Sequence, residues 1–449
     1  MTPMVAIIGG GLTGLSIGHQ LKKAGIPFTI FEQSNRAGGS IRTEQKNGFL
    51  FETGPSTGLM GSPEMAELIE DLKCTIDLAD EKAKYRWIWK GKSWKTIPNG
   101  LWTGICTPLF SLSDKLRLLG EPFRKAGNDP NENLAHMVRR RMGKSFLDYA
   151  VDPFVSGIYA GNPEKLITKY ALPKLYNLEQ KYGSFIGGSI KKAKKKKSER
   201  DKKATKLTFS FNGGLSDLIL ALEKELSNHI VLNAKEISIT PIDMQYKLNY
   251  NDKSNKFTHI ISTVGAHALP SIFPFMPEEK MALISQLEYG KVVQVSVGFN
   301  NWEGIEIKAF GGLVPSVEHR NILGALFLSS FLKNRAPHNG ALLSVFLGGL
   351  RKPEFLNKSD EELEAIVQNE LCAMFKLKRW NPDLFEIRRH ENAIPQYGID
   401  SEERLNAIDE LEHQYPKIIL AGNIRNGISM SDRVTQAYQV AKKITSNCC

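Results

Sequence analysis

Two rhythms of apolar residues run along the chain. Met4–Ile8 is a short continuous apolar run, the pattern of a strand buried on both faces. Gly9-Gly10-Gly11-Leu12-Thr13-Gly14 interrupts it, Leu15–Ala24 takes up helical spacing, and Gly25 ends that helix. Pro27–Glu32 reads as a second strand, completing strand-turn-helix-turn-strand in about 30 residues. Tyr85–Trp89 and Ser93–Ile97, joined by Lys90-Gly91-Lys92, predict a strand pair. From Leu101 to about Tyr182 the pattern is mainly helical. Phe209–Gly214 leads into a helix at Leu215–Leu226, and strand-like segments follow at Ile230–Asn233, Tyr246–Tyr250 and His259–Thr263. Val292–Phe299, Gly311–Val314, Leu323–Ser329 and Ala341–Phe346 predict a mixed sheet, with a helix at Asp360–Ala373 beyond it. Strand Ile418–Leu420, a glycine-rich loop and helix Ser431–Thr445 close the chain. No repeat of fixed period is present.

Composition narrows the function classes. The 449 residues suit about three domains. Apolar residues at 41% and charged residues at 24% are ordinary for a globular protein. The net charge of +11 raises nucleic acid or an anionic membrane as a partner. Residues 191–206, however, hold ten basic and two acidic residues, a net +8, so one segment produces most of the imbalance. That Lys-rich run predicts a mobile loop, either merely solvated or drawn to anionic lipid. No aromatic stacking platform accompanies it, which argues against nucleic acid. No apolar run approaches the length of a membrane-spanning helix. The N-terminus lacks a basic region and reads as the mature start of a domain. Five cysteines (Cys74, Cys106, Cys372, Cys448, Cys449) form no C-x-x-C pair, which suits a reducing cytosol. Cys448-Cys449 reads as a frayed tail rather than a lipidation site. The nine histidines form no ligand cluster and no G-x-S-x-G elbow occurs, so neither a metal nor a serine nucleophile is expected.

The glycine turn carries a mechanism. Gly9 allows the tight turn, Gly11 lets backbone approach a pyrophosphate, and Gly14 lets helix and strand pack closely. Leu12 and Thr13 open the helix whose N-terminus then faces negative charge. Glu32, with Gln33 after it, ends the next strand. A carboxylate there accepts hydrogen bonds from a ribose diol and repels a 2′-phosphate, which favours FAD or NAD over NADP.

The following segment separates these. Arg36-Ala37-Gly38-Gly39-Ser40-Ile41-Arg42-Thr43 resembles the R-x-G-G-x-x-x-[ST] signature of the flavin amine oxidase superfamily. A second glycine pair again lets backbone near a cofactor, and Arg36 and Arg42 offer charge to phosphate. Gly54-Pro55-Ser56-Thr57 resembles the stretch that passes the flavin ring in that superfamily. Gly422-Asn423 and Ile428-Ser429-Met430 resemble its closing FAD segment, where a helix N-terminus would stabilise reduced flavin. No cysteine lies there, so non-covalent FAD is expected. Glu236 matches the position whose backbone holds adenine.

Asp152-Pro153-Phe154-Val155-Ser156-Gly157-Ile158-Tyr159-Ala160-Gly161-Asn162-Pro163-Glu164 closely resembles the central signature of the protoporphyrinogen oxidase family, which usually carries Asp where Asn162 stands. Similarity continues through Phe310–Ser316, Ala325–Ser330, Arg335-Ala336-Pro337 and Phe346-Leu347-Gly348-Gly349, and so covers essentially the whole chain.

The resemblance implies an α/β fold. It places a discontinuous Rossmann-type FAD-binding domain at residues 1–95, 207–268 and 415–449. A helical, membrane-associating domain then takes 96–206 and a mixed-sheet substrate domain 269–414. It implies six-electron oxidation of protoporphyrinogen IX, with hydride passing to flavin and oxygen reoxidising it. No protein acid or base is assigned, and coproporphyrinogen III is the alternative substrate. Arg86 matches the propionate-binding arginine; Leu313, Leu326 and Phe346 match the residues that sandwich the macrocycle; Gly157 matches the glycine over the ring. The less favoured alternative makes Arg86 a surface arginine on a hairpin and the other three ordinary sheet core. Implied partners are a tetrapyrrole, an anionic membrane surface touched near Leu101–Phe110, a neighbouring haem-pathway enzyme and a second copy of the chain. The implied location is cytoplasmic, on the inner face of the membrane.

Overall fold

The structure, a computed structural model, describes residues 4–98, 103, 106–193 and 198–446. Its first sheet is five-stranded and parallel, in the order Ile230–Val231, Phe28–Phe31, Val5–Ile8, His259–Ser262, Ile418–Leu420. Val5, Ala6 and Ile7 are fully buried, as a continuous apolar strand with both faces covered requires. On one face, helices Leu12–Lys23, Ser216–Leu226 and Met430–Ser446 pack Leu15, Ile17, Leu222 and Val434 against Val5, Ile7 and Ile261. On the other, Ala6, Ile8 and Ile260 meet the meander Ser238–Ile242, Gln245–Tyr250, Lys253–Phe257 and helices Glu278–Ser285 and Ser401–Gln414. Each fully buried Leu or Ile stabilises this sandwich by roughly 1.5–3 kcal/mol.

The second sheet has seven strands, in the order Leu384–Pro395, Tyr289–Phe299, Ala341–Gly348, Gly324–Leu326, Gly311–Leu313, Arg86–Lys90, Ser93–Thr96. Only the Gly311–Leu313 and Arg86–Lys90 pairing is parallel. Helix Asp360–Phe375 covers one face, setting Leu363, Val367 and Leu371 over Val295, Ala325 and Val345.

A helical region lies beyond it and is tied by charge as well as by apolar packing. Arg141, Glu121 and Glu179 are buried together. Arg141 Nε donates to Glu121 Oε1 at 2.9 Å and its Nη1 lies 3.2 Å from Glu179. Glu121 also accepts from Ser184 Oγ and from the backbone N–H groups of Phe185 and Ile186, capping helix Phe185–Ala193.

Several expectations need correction. Leu323–Ser329 is not one strand: only Gly324–Leu326 is extended, and Leu328–Phe331 turns helical. The Lys-rich run, of which residues 194–197 lie outside the described residues, is helical on both sides of them. Lys191 and Lys192 end helix Phe185–Ala193, and Ser198 caps a second short helix, Glu199–Lys202. Arg200 then pairs with Glu64 and Glu67, and Lys203 with Glu70, all on helix Pro63–Asp71. The acidic helix next door explains the order in this segment. Leu101, Trp102, Gly104, Ile105, Cys448 and Cys449 lie outside the described residues.

Removing one partner of a fully buried ion pair strands the other. Arg141→Ala is therefore expected to cost about 3–5 kcal/mol in urea unfolding. A loss below about 1 kcal/mol would contradict the pairing.

Candidate functional site

The carboxyl ends of the parallel strands gather five separate segments. Gly9 leaves its strand at φ +104, a conformation that favours glycine. A side chain at Gly14 would strike the Gly9 carbonyl, whereas at Gly11 the nearest atom, Gly39 Cα, is 4.0 Å away. Packing thus explains the glycine at 14, and open space remains at 11. Helix Leu12–Lys23 has no side-chain cap, so Leu12, Thr13 and Gly14 present first-turn N–H groups to that space. This is a cradle suited to a pyrophosphate.

The second glycine loop folds over the first. Gly38 N–H donates to the Gly10 carbonyl at 2.8 Å. Arg36 is spent on its own loop, donating to the carbonyls of Ala37, Gly39 and Ile41. Burial, then the neighbouring Arg42, lower its pKa. Arg42 is exposed and pairs with Glu44 at 2.9 Å, and Ser40 is exposed at the loop tip. Glu32 is buried; it accepts from Gly10 N–H at 2.7 Å and from Ser34, while Gln33 is exposed. Val231–Ala234 runs beside Glu32–Ser34 through three backbone bonds. Glu236 lies two residues further along that segment, exposed and at φ +54.

Segment 54–57 packs between these loops and the last helix. Thr53 N–H donates to the Arg42 carbonyl, and Ser431 Oγ joins the Leu59 carbonyl and Gly61 N–H. Pro55 and Thr57 are half-buried, and the Ser56 hydroxyl is buried with no protein partner. Gly422 stands against Thr263, which stands against Gly9. Asn423, Ile428, Ser429 and Met430 lead from there into helix Met430–Ser446. Sequence reasoning missed Arg433, which clamps this last loop. It also missed Glu52, buried beside the cradle, where it accepts from Leu215 N–H and Thr43 Oγ1. An acidic residue in an apolar strand, Phe49–Glu52, was the available signal.

The substrate candidates share one face of the second sheet. Cross-strand partners face the same way, and every second residue returns to that face. The register aligns Arg86, Gly311, Leu326 and Ser344 in one row and Ile88, Leu313, Gly324 and Phe346 in the next. Arg86, Leu313, Leu326 and Phe346 therefore point together. Their alternates Trp87, Ala325 and Val345 point to helix Asp360–Phe375. Ala325 and Val345 are fully buried, whereas Leu313, Leu326 and Phe346 are only half-buried, so the shared face is open. Helix Asp152–Tyr159 crosses it; a side chain at Gly157 would overlap that of Leu313. Arg86 is exposed, lies over the Phe310 ring at 5.2 Å and makes no ion pair among the described residues; partial desolvation by its neighbours lowers its pKa. Gln294, on the same face, donates to the Glu52 carbonyl and to Ser344 Oγ, both at 3.0 Å. The slot thus abuts the segment leading to Gly54. Asn162, where the resembled signature has Asp, meets Arg351 at 3.2 Å, and Asp152 supplies the carboxylate that holds this arginine.

Comparison with known proteins agrees with this geometry. Residues 12–445 match the family described as flavin containing amine oxidoreductase. The chain is 30% identical to a chloroplastic protoporphyrinogen oxidase of Nicotiana tabacum, covering 98% of this chain and 85% of that one. It is 27% identical to a coproporphyrinogen III oxidase of Staphylococcus aureus, covering 99% of each. A crystal structure from Exiguobacterium sp. 255-15, named as a candidate protoporphyrinogen oxidase, superposes with TM-score 0.83 at 22% identity over 100% of this chain and 99% of its own.

Burial pushes the Glu52 carboxyl up to about 7, against the lowering effect of its hydrogen bonds. The fold therefore favours its protonated form. That contribution is complete below about pH 4.5 and is lost as pH rises to about 7, a swing of about 3 kcal/mol. Glu52→Gln is expected to flatten the fall in unfolding free energy across this window. Equal slopes for the two proteins would contradict the raised value.

Proposed function

The chain belongs to the flavin-containing amine oxidoreductase family and is an FAD-dependent oxidoreductase; within that family, we propose that it oxidises protoporphyrinogen IX to protoporphyrin IX. The observation that carries the reading is the open apolar face with one uncommitted arginine, set against the cofactor segment. Bound FAD would supply the hydride-accepting chemistry: the substrate gives up three hydrides and three protons in all, and these together reduce three O2 to three H2O2. The chain supplies position. Leu313, Leu326 and Phe346 hold the apolar macrocycle, and helix Asp152–Tyr159 limits the slot at Gly157. The Arg86 guanidinium suits a propionate at the rim.

Coproporphyrinogen III is the second reading, supported by the Staphylococcus aureus relative. It has four propionates and asks for more free cations. On the slot face Arg388 is held by Glu44 and Lys90 by the Leu109 carbonyl. Arg86, and Lys95 opposite Ile88 on the same face, make no ion pair among the described residues and are left to meet carboxylates, which suits the two adjacent propionates of protoporphyrinogen IX.

We also propose that the protein docks on one leaflet at the cytoplasmic face of a membrane. Among the described residues no helix is long and apolar enough to cross one. Helix Leu112–Leu119 instead exposes Leu112, Leu116 and Leu119 by 74%, 60% and 72%, and Phe123 follows at 92%. Arg117, Arg124 and Lys125 flank this stripe. Part of the basic run is neutralised by Glu64, Glu67 and Glu70, so the stripe is the stronger candidate for contact.

Arg86→Ala is expected to raise KM for protoporphyrinogen IX at least tenfold with FAD content unchanged. An unchanged KM would remove Arg86 from substrate binding. Leu116→Asp combined with Phe123→Asp is expected to abolish sedimentation with phosphatidylglycerol-containing vesicles while leaving turnover of detergent-dispersed substrate intact. Undiminished sedimentation would reject the docking face.

A further inference from the structure

Two buried arginines shape the closing loop. Arg433, in the first turn of helix Met430–Ser446, donates to the carbonyls of Gly422, Arg425, Asn426 and Gly427 and to Gln436 Oε1. The last three carbonyls each lie 2.9 Å away. Arg404, fully buried, donates to the Ile424 carbonyl at 3.0 Å. Five of the six carbonyls from Gly422 to Gly427 are thereby turned towards guanidinium groups.

A trans peptide points its N–H opposite to its carbonyl. The N–H groups of Asn423 and Ile428 consequently point away from Arg433, and neither finds an acceptor among the described residues. Gly422 packs on Thr263, and Thr263 packs on Gly9, so this loop adjoins the glycine cradle. Unpaired donors there suit acceptor atoms of a bound cofactor.

The charge matters as well. Arg433 is buried and makes no ion pair with a carboxylate among the described residues. The nearest acid in sequence, Asp432, is engaged by Ser429 through its hydroxyl at 2.7 Å and its N–H at 3.0 Å. A positive charge without a partner in a low-dielectric interior acts over several ångströms.

We infer that Arg433 is a positioning residue for the flavin: it fixes the closing loop with its free N–H groups toward the cofactor and, by its buried charge, which no carboxylate contacts directly, raises the flavin reduction potential. This rests on FAD occupying the cradle described above. It differs from a packing role because charge, and not volume alone, sets the outcome.

The test uses the FAD-loaded enzyme and its Arg433→Lys, Arg433→Gln and Arg433→Met variants. FAD content is titrated first, then midpoint potentials are measured by anaerobic equilibration with reference dyes. Gln and Met are expected to lower the equilibrium constant for two-electron reduction at least tenfold, about 30 mV. Lys should stay within threefold of the parent protein. If Met does not hold FAD, the Lys and Gln variants decide: a tenfold difference between them supports the role. Equal potentials in Lys and Gln overturn it, as does a Lys variant shifted as far as Gln. A parent chain that binds no FAD overturns the flavin premise itself, and the titration shows that separately.

Discussion

Gly9, Thr263 and Gly422 meet backbone to backbone at the ends of three adjacent parallel strands. Thr263 Oγ1 donates to the Ile8 and Gly9 carbonyls at 3.0 and 3.1 Å. A methyl group added at Gly9 or at Gly422 would fall 2.7 Å from a Thr263 oxygen. Segments from the start, middle and end of the chain therefore come together only if these positions stay small. The contact lies where open parallel sheets form their crevice. Each further part of the cradle is attached to it: the Gly38 loop through Gly10, the Gly54 segment through Ser431, and the closing loop through Arg433.

The second sheet is joined to that arrangement by several contacts, among them Arg388 with Glu44 and Gln294 with the Glu52 carbonyl. Gln294 reaches from the slot face to the Glu52 carbonyl, two residues before Gly54. The strand carrying Glu52 thus serves both sides, its carboxyl toward Leu215 and Thr43 and its carbonyl toward the slot. The sheet's two faces then divide the labour. One is sealed by helix Asp360–Phe375 and supplies stability; on the other, Leu313, Leu326 and Phe346 remain half-buried beside the buried Gln294 and Ser344. On the proposed reading the cofactor carries the reaction, and the protein's part is to set the macrocycle beside it and hold its acidic rim.

The first unit of the fold was legible because its apolar run, glycine turn and amphipathic helix have local causes. The closing strand Ile418–Leu420 was legible for the same reason. Strand Leu384–Pro395 was not: the charged Glu386, Arg388 and Arg389 break its apolar rhythm, and their partners Lys46, Glu44 and Asp360 come from far along the chain. The Lys-rich run misled in the same way, since its order comes from the acidic helix Pro63–Asp71. Glycines and the resembled signatures pointed to the cradle. Arg433 was invisible because nothing in Met430-Ser431-Asp432-Arg433 tells an exposed helical arginine from one buried under four carbonyls. The shared face of Arg86, Leu313, Leu326 and Phe346 also needed the strand register, which joins residues far apart in sequence.

The central claim is that the open face presents a porphyrinogen to bound FAD. Anaerobic mixing of the yellow holoenzyme with protoporphyrinogen IX and, separately, with coproporphyrinogen III tests it most directly. The account predicts rapid bleaching of the flavin by protoporphyrinogen IX and slower bleaching by coproporphyrinogen III. Bleaching by neither, from a protein that holds a full complement of FAD, would contradict it.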